Sequence, residues 1–285
     1  MTYVADQRES HKTEGPLRVE RHEHILEVTL SRPERRNALD DSLIGELRDL
    51  WNDPVRLSEV RCVVLTGAEP GFCAGADMSL LSRDRSDAPV DVREELRFLP
   101  GTQIDCPVIA AINGVCAGGG LHFVADADIV LASDDATFLD PHVSVGHVSA
   151  LEPLGLLLQA SAGAVTRMAL IGSPERLTAQ AALTVGLVSE VVPAAELRNR
   201  AMELAGMISQ NSPAAVAATR HAIRSFEASV LAGALQDGWD GIRAHWNHPD
   251  AHEGPQAFIE KREPRWQAHR APPSPPPRDR HQRSR

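Results

Sequence analysis

The chain has 285 residues, 42% of them apolar, and its 29 Lys and Arg are outnumbered by 39 Asp and Glu for a formal charge of -10. That length accommodates one sizeable α/β domain with a helical appendage. The acidic balance excludes nucleic acid as a general partner, because neutralising phosphates requires clustered cations.

Residues 1–15 are polar and read as a loose arm, with no apolar segment resembling a signal peptide. Ile25–Leu30 alternates as a strand should, and Asp41–Trp51 places Leu43, Ile44, Leu47 and Leu50 on one face of a helix. Two β-branched runs, Cys62–Thr66 and Pro107–Ile112, read as buried strands with helical stretches between them. Repeated strand–helix connection implies a parallel sheet covered on both faces. The longest apolar region, Leu154–Gly172, is interrupted by Gln159 and Arg167, which excludes a membrane span.

Strand signals end near Ala194. Leu197–Ser209 and Pro213–Ala232 then read as helices, the second opened by Ser212 as N-cap and Pro213 in the first turn. Gln267–Arg285 holds five Pro, five Arg and one acid, a composition that cannot bury a core. The expected organisation is an arm (1–15), a core (16–193), a helical region (194–266) and a tail (267–285). Cys62, Cys73, Cys106 and Cys116 lie in or beside apolar strands without a C-x-x-C pair, which fits reduced thiols and a cytoplasmic protein.

Each of the two apolar strands runs into a glycine-rich turn, Gly67–Asp77 after the first and Asn113–Gly120 after the second. Such turns present free backbone N–H groups. Two of them, aimed at one point, would stabilise an oxygen as it becomes an oxyanion.

Phe72-Cys-Ala-Gly-Ala-Asp77 and Pro107-Val-Ile-Ala-Ala-Ile-Asn-Gly-Val-Cys-Ala-Gly-Gly-Gly120 resemble the two signature segments of the crotonase superfamily, the enoyl-CoA hydratases and isomerases. Ser31-Arg-Pro33 with Asn37-Ala-Leu39, the segment Leu177–Val188, and Glu253-Gly254 with Ala257-Phe258 and Glu260-Lys-Arg262 extend the similarity over residues 17–266. The resemblance implies an α/β fold, a crotonase-like ββα spiral core with a C-terminal helical oligomerisation region forming a homotrimer or a hexamer. It also implies an acyl-CoA substrate, with coenzyme A present as part of the thioester and no separate cofactor or metal. Under it, the amides of Ala76 and Gly119 form the oxyanion hole. Arg35 and Arg36 with Ala38, Ala74, Asp77 and Met78 border the CoA, and Phe258 and Lys261 reach its adenine end from a neighbouring subunit.

Hydratases of this family carry one glutamate two residues after the Gly-Gly-Gly and another twenty residues on, directly after a proline. Here those positions hold His122 and His142. An imidazole both gives and accepts protons near neutrality. Asp140 and Glu152 are the candidate orienters for His142, and the sequence leaves the choice between them open. His147 reads as a wall of the same loop, and His22 and His24 as a solvated face of an edge strand. Three readings follow: generic enoyl-CoA chemistry, hydrolytic carbon–carbon cleavage of a β-dicarbonyl as in oxocamphor-hydrolase-like members, or an acyl-CoA binding protein without catalysis. Met78–Val92 and Val143–Leu158 are the expected lining of the acyl pocket.

Overall fold

The computed structural model describes residues 15–77, 80, 88–101 and 103–267. Its main sheet has six strands in the order β1 (Leu17–His22), β2 (Ile25–Leu30), β3 (Cys62–Gly67), β4 (Val108–Ile112), β6 (Ile129–Ser133) and β9 (Glu190–Val192). Only β1 runs antiparallel to its neighbour, and the remaining pairings are parallel. The central strands are near-continuous apolar runs because both faces of the sheet are covered.

One face packs Val28, Leu65, Ala110 and Ile112 against α1 (Asp41–Trp51), whose Leu43, Leu47, Leu50 and Trp51 are buried. The other packs Cys62, Val64, Ile109 and Leu131 beneath Leu197, Ala201 and Ala205 of α7 (Leu197–Ser209). The first helix of the expected C-terminal region is thus part of the core's second layer, not an appendage to it. Asp40 caps α1 by accepting from the Leu43 amide.

A small second sheet joins β5 (Val115–Ala117), β7 (Thr137–Leu139) and β8 (Leu177–Thr178). Isolated bridges Leu39–Ala76 and Cys73–Cys116 tie the two glycine-rich turns to this sheet and to the start of α1. Before α7 the described residues also form the helices α2 (Val92–Glu95), α3 (Leu121–Asp126), α4 (Leu151–Leu156), α5 (Ala162–Ile171) and α6 (Ala179–Thr184). The apolar stretch from Leu154 to Gly172 is therefore split between α4 and α5, and no helix among the described residues is long and apolar enough to cross a membrane.

The long helix α8 spans Pro213–His245, well past the expected end at Ala232, before α9 (Pro249–Glu260). Its glycines do not terminate it. A Cβ on Gly238 would lie 3.1 Å from Leu154 Cδ1 and 3.2 Å from Ala150 Cβ, so the missing side chain lets α8 close on α4. That approach carries Trp239 and Trp246, in edge contact at 5.3 Å, toward the turns.

Arg220 fastens the other end of α8. It is 7% exposed and its guanidinium reaches Asp128 Oδ2 at 2.8 Å, Ile104 O at 2.6 Å and Gly101 O at 2.8 Å. Arg220→Met is expected to cost about 3 kcal/mol in urea unfolding, near the lower end for breaking a buried pair. The lower end applies because Arg224 still faces Asp128 at 2.9 Å. An unchanged midpoint would show that the network contributes nothing to stability.

Candidate active site

The geometry of the two turns is set by a few polar anchors. Asn37 is buried, donates to Ala68 O at 2.6 Å and Gly71 O at 2.7 Å, and accepts from the Arg32 amide at 2.9 Å. Asn113 donates to Gly67 O at 2.8 Å, fixing the end of β3 to the end of β4. Gly75 has φ +94, and a Cβ there would lie 2.9 Å from Ala117 O and 3.3 Å from Gly119 N, so glycine is required for the two turns to meet.

Leu39 N–H donates to Gly75 O at 2.8 Å and Asp77 N–H to Leu39 O at 2.7 Å, which leaves Ala76 between them with its own amide turned away from that bridge. Neither Ala76 N–H nor Gly119 N–H donates to an acceptor among the described residues. A Cβ on Gly119 would stand 3.6 Å from Ala76 N, so the two amides border one spot. Their free donors in a concave site suit a developing oxyanion.

Beside this spot stand three titratable side chains from three elements. His122 lies in α3, directly after the three-glycine turn, and its Nε2 is 3.1 Å from Glu152 Oε1 of α4. His142 begins the short helical turn after Pro141, and its Nδ1 donates to Asp140 Oδ1 at 2.6 Å. His142 Nε2 lies 3.6 Å from the same Glu152 oxygen, beyond hydrogen-bond length. Of the two candidate orienters, Asp140 is therefore the one hydrogen-bonded to His142, while Glu152 sits between the two imidazoles and is closer to His122.

Asp140 is 1% exposed and is held by the His142 amide at 3.2 Å and by the Ser149 hydroxyl. Burial alone would raise the Glu152 carboxyl, but the adjacent imidazoles of His122 and His142 outweigh it and hold the group well below the usual carboxylate range. Phe98 packs edge-on to the His122 ring at 5.9 Å.

These groups open into a cavity of about 450 Å³. Ala76, Gly119, His122, His142 and Glu152 form one part of its wall, and His147, Val148 and Leu151 continue it. From the expected 78–92 lining, Leu80, Ala88 and Pro89 reach the cavity, while Met78 lies outside the described residues. Ile44 and Arg48 of α1, Trp239 and Ile242 of α8, and Trp246 directly after α8 also line it. Those α8 residues lie at the far end of the helix beyond its expected stop.

The structure does not bring the remaining candidates to this cavity. Arg35 and Arg36 are exposed in the turn before Asn37, and Arg36 O accepts the Ala74 amide at 3.0 Å. Ala38 is buried, and its carbonyl accepts from Arg32. The Asp77 carboxylate is engaged by Arg32 at 3.2 Å, a partner that the motif reading missed and that Arg32 shares with Asp40 at 2.7 Å. Phe258 is 67% exposed on α9 and Lys261 ends that helix with φ 52.

His22 and His24 lie on β1 and at its turn, as expected for an edge. His22 Nε2 meets Glu27 at 3.0 Å, while Arg198 grips the same carboxylate at 2.5 Å. The four cysteines are free, and burial pushes the Cys106 thiol up to about 11 and Cys73 to about 12, which suits packing and not nucleophilic work.

Over residues 20–269 the chain matches the family described as enoyl-CoA hydratase/isomerase. It is 35% identical over 261 residues to a mevalonyl-coenzyme A hydratase of Aspergillus fumigatus, covering 85% of this chain and 91% of that one. A carnitinyl-CoA dehydratase of Escherichia coli is 34% identical over 268 residues, covering 88% of this chain and 97% of its own. Among solved structures, the carnitinyl-CoA hydratase of Mycobacterium avium superposes with a TM-score of 0.78 at 31% identity, covering 90% of this chain and all of that one.

Proposed function

The chain belongs to the enoyl-CoA hydratase/isomerase family and has its crotonase fold, and from that premise we propose that it is an acyl-CoA-processing enzyme whose proton transfers are made by His142 and His122. The observation that carries this reading is the Asp140–His142 contact of 2.6 Å beside the two free amides. A buried carboxylate on Nδ1 fixes the tautomer that leaves Nε2 as the base, and stabilises the imidazolium that forms. Glu152, between the imidazoles, orients His122 at 3.1 Å.

For a 2-enoyl thioester, His142 would take a proton from water as its oxygen bonds to the β-carbon. The electron pair moves to the thioester oxygen held by the Ala76 and Gly119 amides, and His122, entering as the imidazolium paired with Glu152, protonates the α-carbon. The proton taken up by His142 then returns to His122 by way of Glu152, which lies between the two rings. Dehydration is the reverse. The two-histidine arrangement also favours a second reading, hydrolytic cleavage of a β-dicarbonyl. There, water activated by His142 adds to a ketone carbon, the carbon–carbon bond breaks, and the departing enolate is stabilised by the amides and protonated by His122. The exposed Phe258 and Lys261 suit a homotrimer or hexamer in which they serve a neighbouring subunit's CoA.

Crotonyl-CoA is expected to be hydrated well below the rate of an ordinary hydratase, because both glutamates that manage water in that reaction are histidines here. Losing one general acid or base typically costs about a hundredfold to ten-thousandfold. A spectrophotometric assay of enoyl-thioester absorbance checks it. A turnover on the order of 10 per second or more would show that the histidines substitute fully. Parallel assays on 3-hydroxyacyl-CoA and β-diketone compounds separate the two readings, and thioester binding with no turnover on any of the three classes would leave only a binding protein.

A further inference from the structure

Helix α1 turns Leu43, Leu47 and Leu50 into the core and shows the cavity a second stripe, Asp41, Ile44 and Arg48. Arg48 is out of keeping with the other arginines near the site. Arg32 is paired with Asp40 and Asp77, and Arg220 and Arg224 share Asp128. The Arg48 guanidinium has no carboxylate within ion-pair distance among the described residues. It donates to one backbone carbonyl, Glu94 O at 3.2 Å, and its Nε is shielded from solvent without any acceptor.

A shielded guanidinium donor without a partner is unfavourable unless something completes it. We propose that Arg48 recognises a carboxylate on the far end of the acyl group, so that the preferred substrates are thioesters of dicarboxylic acids. The inference rests on the acyl-CoA reading and specifies its substrate class.

Three observations favour this occupant. The Nε edge of a guanidinium presents two parallel N–H donors, the geometry that a carboxylate accepts in bidentate fashion. Ile44, Leu96 and Leu151 line the same cavity and would receive the intervening methylene groups. Arg48 also lies on the helix that starts beside the site: Leu39, bridged to Ala76, directly precedes its N-cap. At the helical rise, Arg48 stands roughly 10 Å along the axis beyond Asp41, a separation that a short acyl chain and an arginine side chain together span.

Asp41 and Glu95 line the cavity too. Arg48 is the one Lys or Arg among the described residues that line the cavity, so selectivity for an anionic acyl end depends on that side chain. Without it the preference should be lost.

The test is calorimetric binding of unreactive saturated thioesters to the intact protein: hexanoyl-CoA against its six-carbon ω-carboxyl counterpart, with four- and eight-carbon pairs alongside. Wild type should bind the ω-carboxyl thioester of the best-fitting length roughly tenfold to a hundredfold more tightly, as one charge-assisted contact allows. Arg48→Met, which keeps the apolar stem, should remove that preference, leave hexanoyl-CoA affinity unchanged, and melt within a few degrees of wild type. Arg48→Lys should restore part of the preference.

Equal wild-type affinity for both members of every pair overturns the proposal while leaving the acyl-CoA reading intact. Equal loss of both ligands in Arg48→Met overturns it as well, and reassigns Arg48 to the CoA moiety. Binding of no thioester at all overturns the acyl-CoA reading itself, and this inference with it.

Discussion

His142→Gln is expected to lower kcat by about two to four orders of magnitude on the enzyme's best thioester substrate, and to leave the Kd of a saturated acyl-CoA within about twofold. Glutamine retains hydrogen-bonding volume toward Asp140 but has no titratable group. The loss therefore falls on the transition state, in which the proton moves, and not on ground-state binding. The pH profile of kcat should at the same time lose one ionisation.

Asp140→Asn gives a complementary readout. It keeps the shape at the 2.6 Å contact but no longer selects the donor tautomer on Nδ1. It should depress kcat with KM nearly unchanged, as a positioning residue does. Wild-type turnover and an unchanged pH profile in His142→Gln would make His142 a wall of the cavity and remove the base from both proposed reactions.

The sequence was most informative where chemistry depends on the backbone. The two glycine-rich turns follow strands that end side by side in one sheet, so their amides could be placed by motif, and His122 by counting from Gly120. The dependence of Ala76 and Gly119 on Asn37, Asn113 and Leu39 was not legible, because those anchors come from distant segments and act through carbonyls that carry no residue signature.

Side-chain partnerships across the fold were hidden for the same reason. Glu152 could be named as one of two orienters from its loop, but its position between two imidazoles depends on how α3 packs against α4. Arg48 reads as the polar face of an amphipathic helix, and only the arrival of α2 and α8 turns that face into a cavity wall. The far end of α8 was missed because glycines weaken a helical reading. At Gly238 the same absence of a side chain is what permits close packing on α4.

Gly119→Pro is expected to reduce turnover on any substrate by at least about a hundredfold to a thousandfold, the usual consequence of removing one oxyanion-hole donor. Proline has no N–H to donate. The natural companion, a substitution at Gly118, is unsuitable because Gly118 has φ +47 and a side chain there would strain the turn for unrelated reasons. Gly119→Ala is the better control. It keeps the amide, and its Cβ would meet Leu39 Cδ1 at 3.2 Å, the end of a flexible side chain that can yield, while standing 3.6 Å from Ala76 N. The alanine variant should therefore fold and bind thioester more weakly by crowding the carbonyl, with KM changed more than kcat. The proline variant should lose kcat itself, because the amide acts on charge that exists only as the enolate or tetrahedral oxygen forms. Circular dichroism and thermal melting establish that both variants are folded. A folded Gly119→Pro protein with full turnover would mean that Ala76 alone, or some other donor, holds the oxyanion, and the convergence of the two turns would then be a matter of packing.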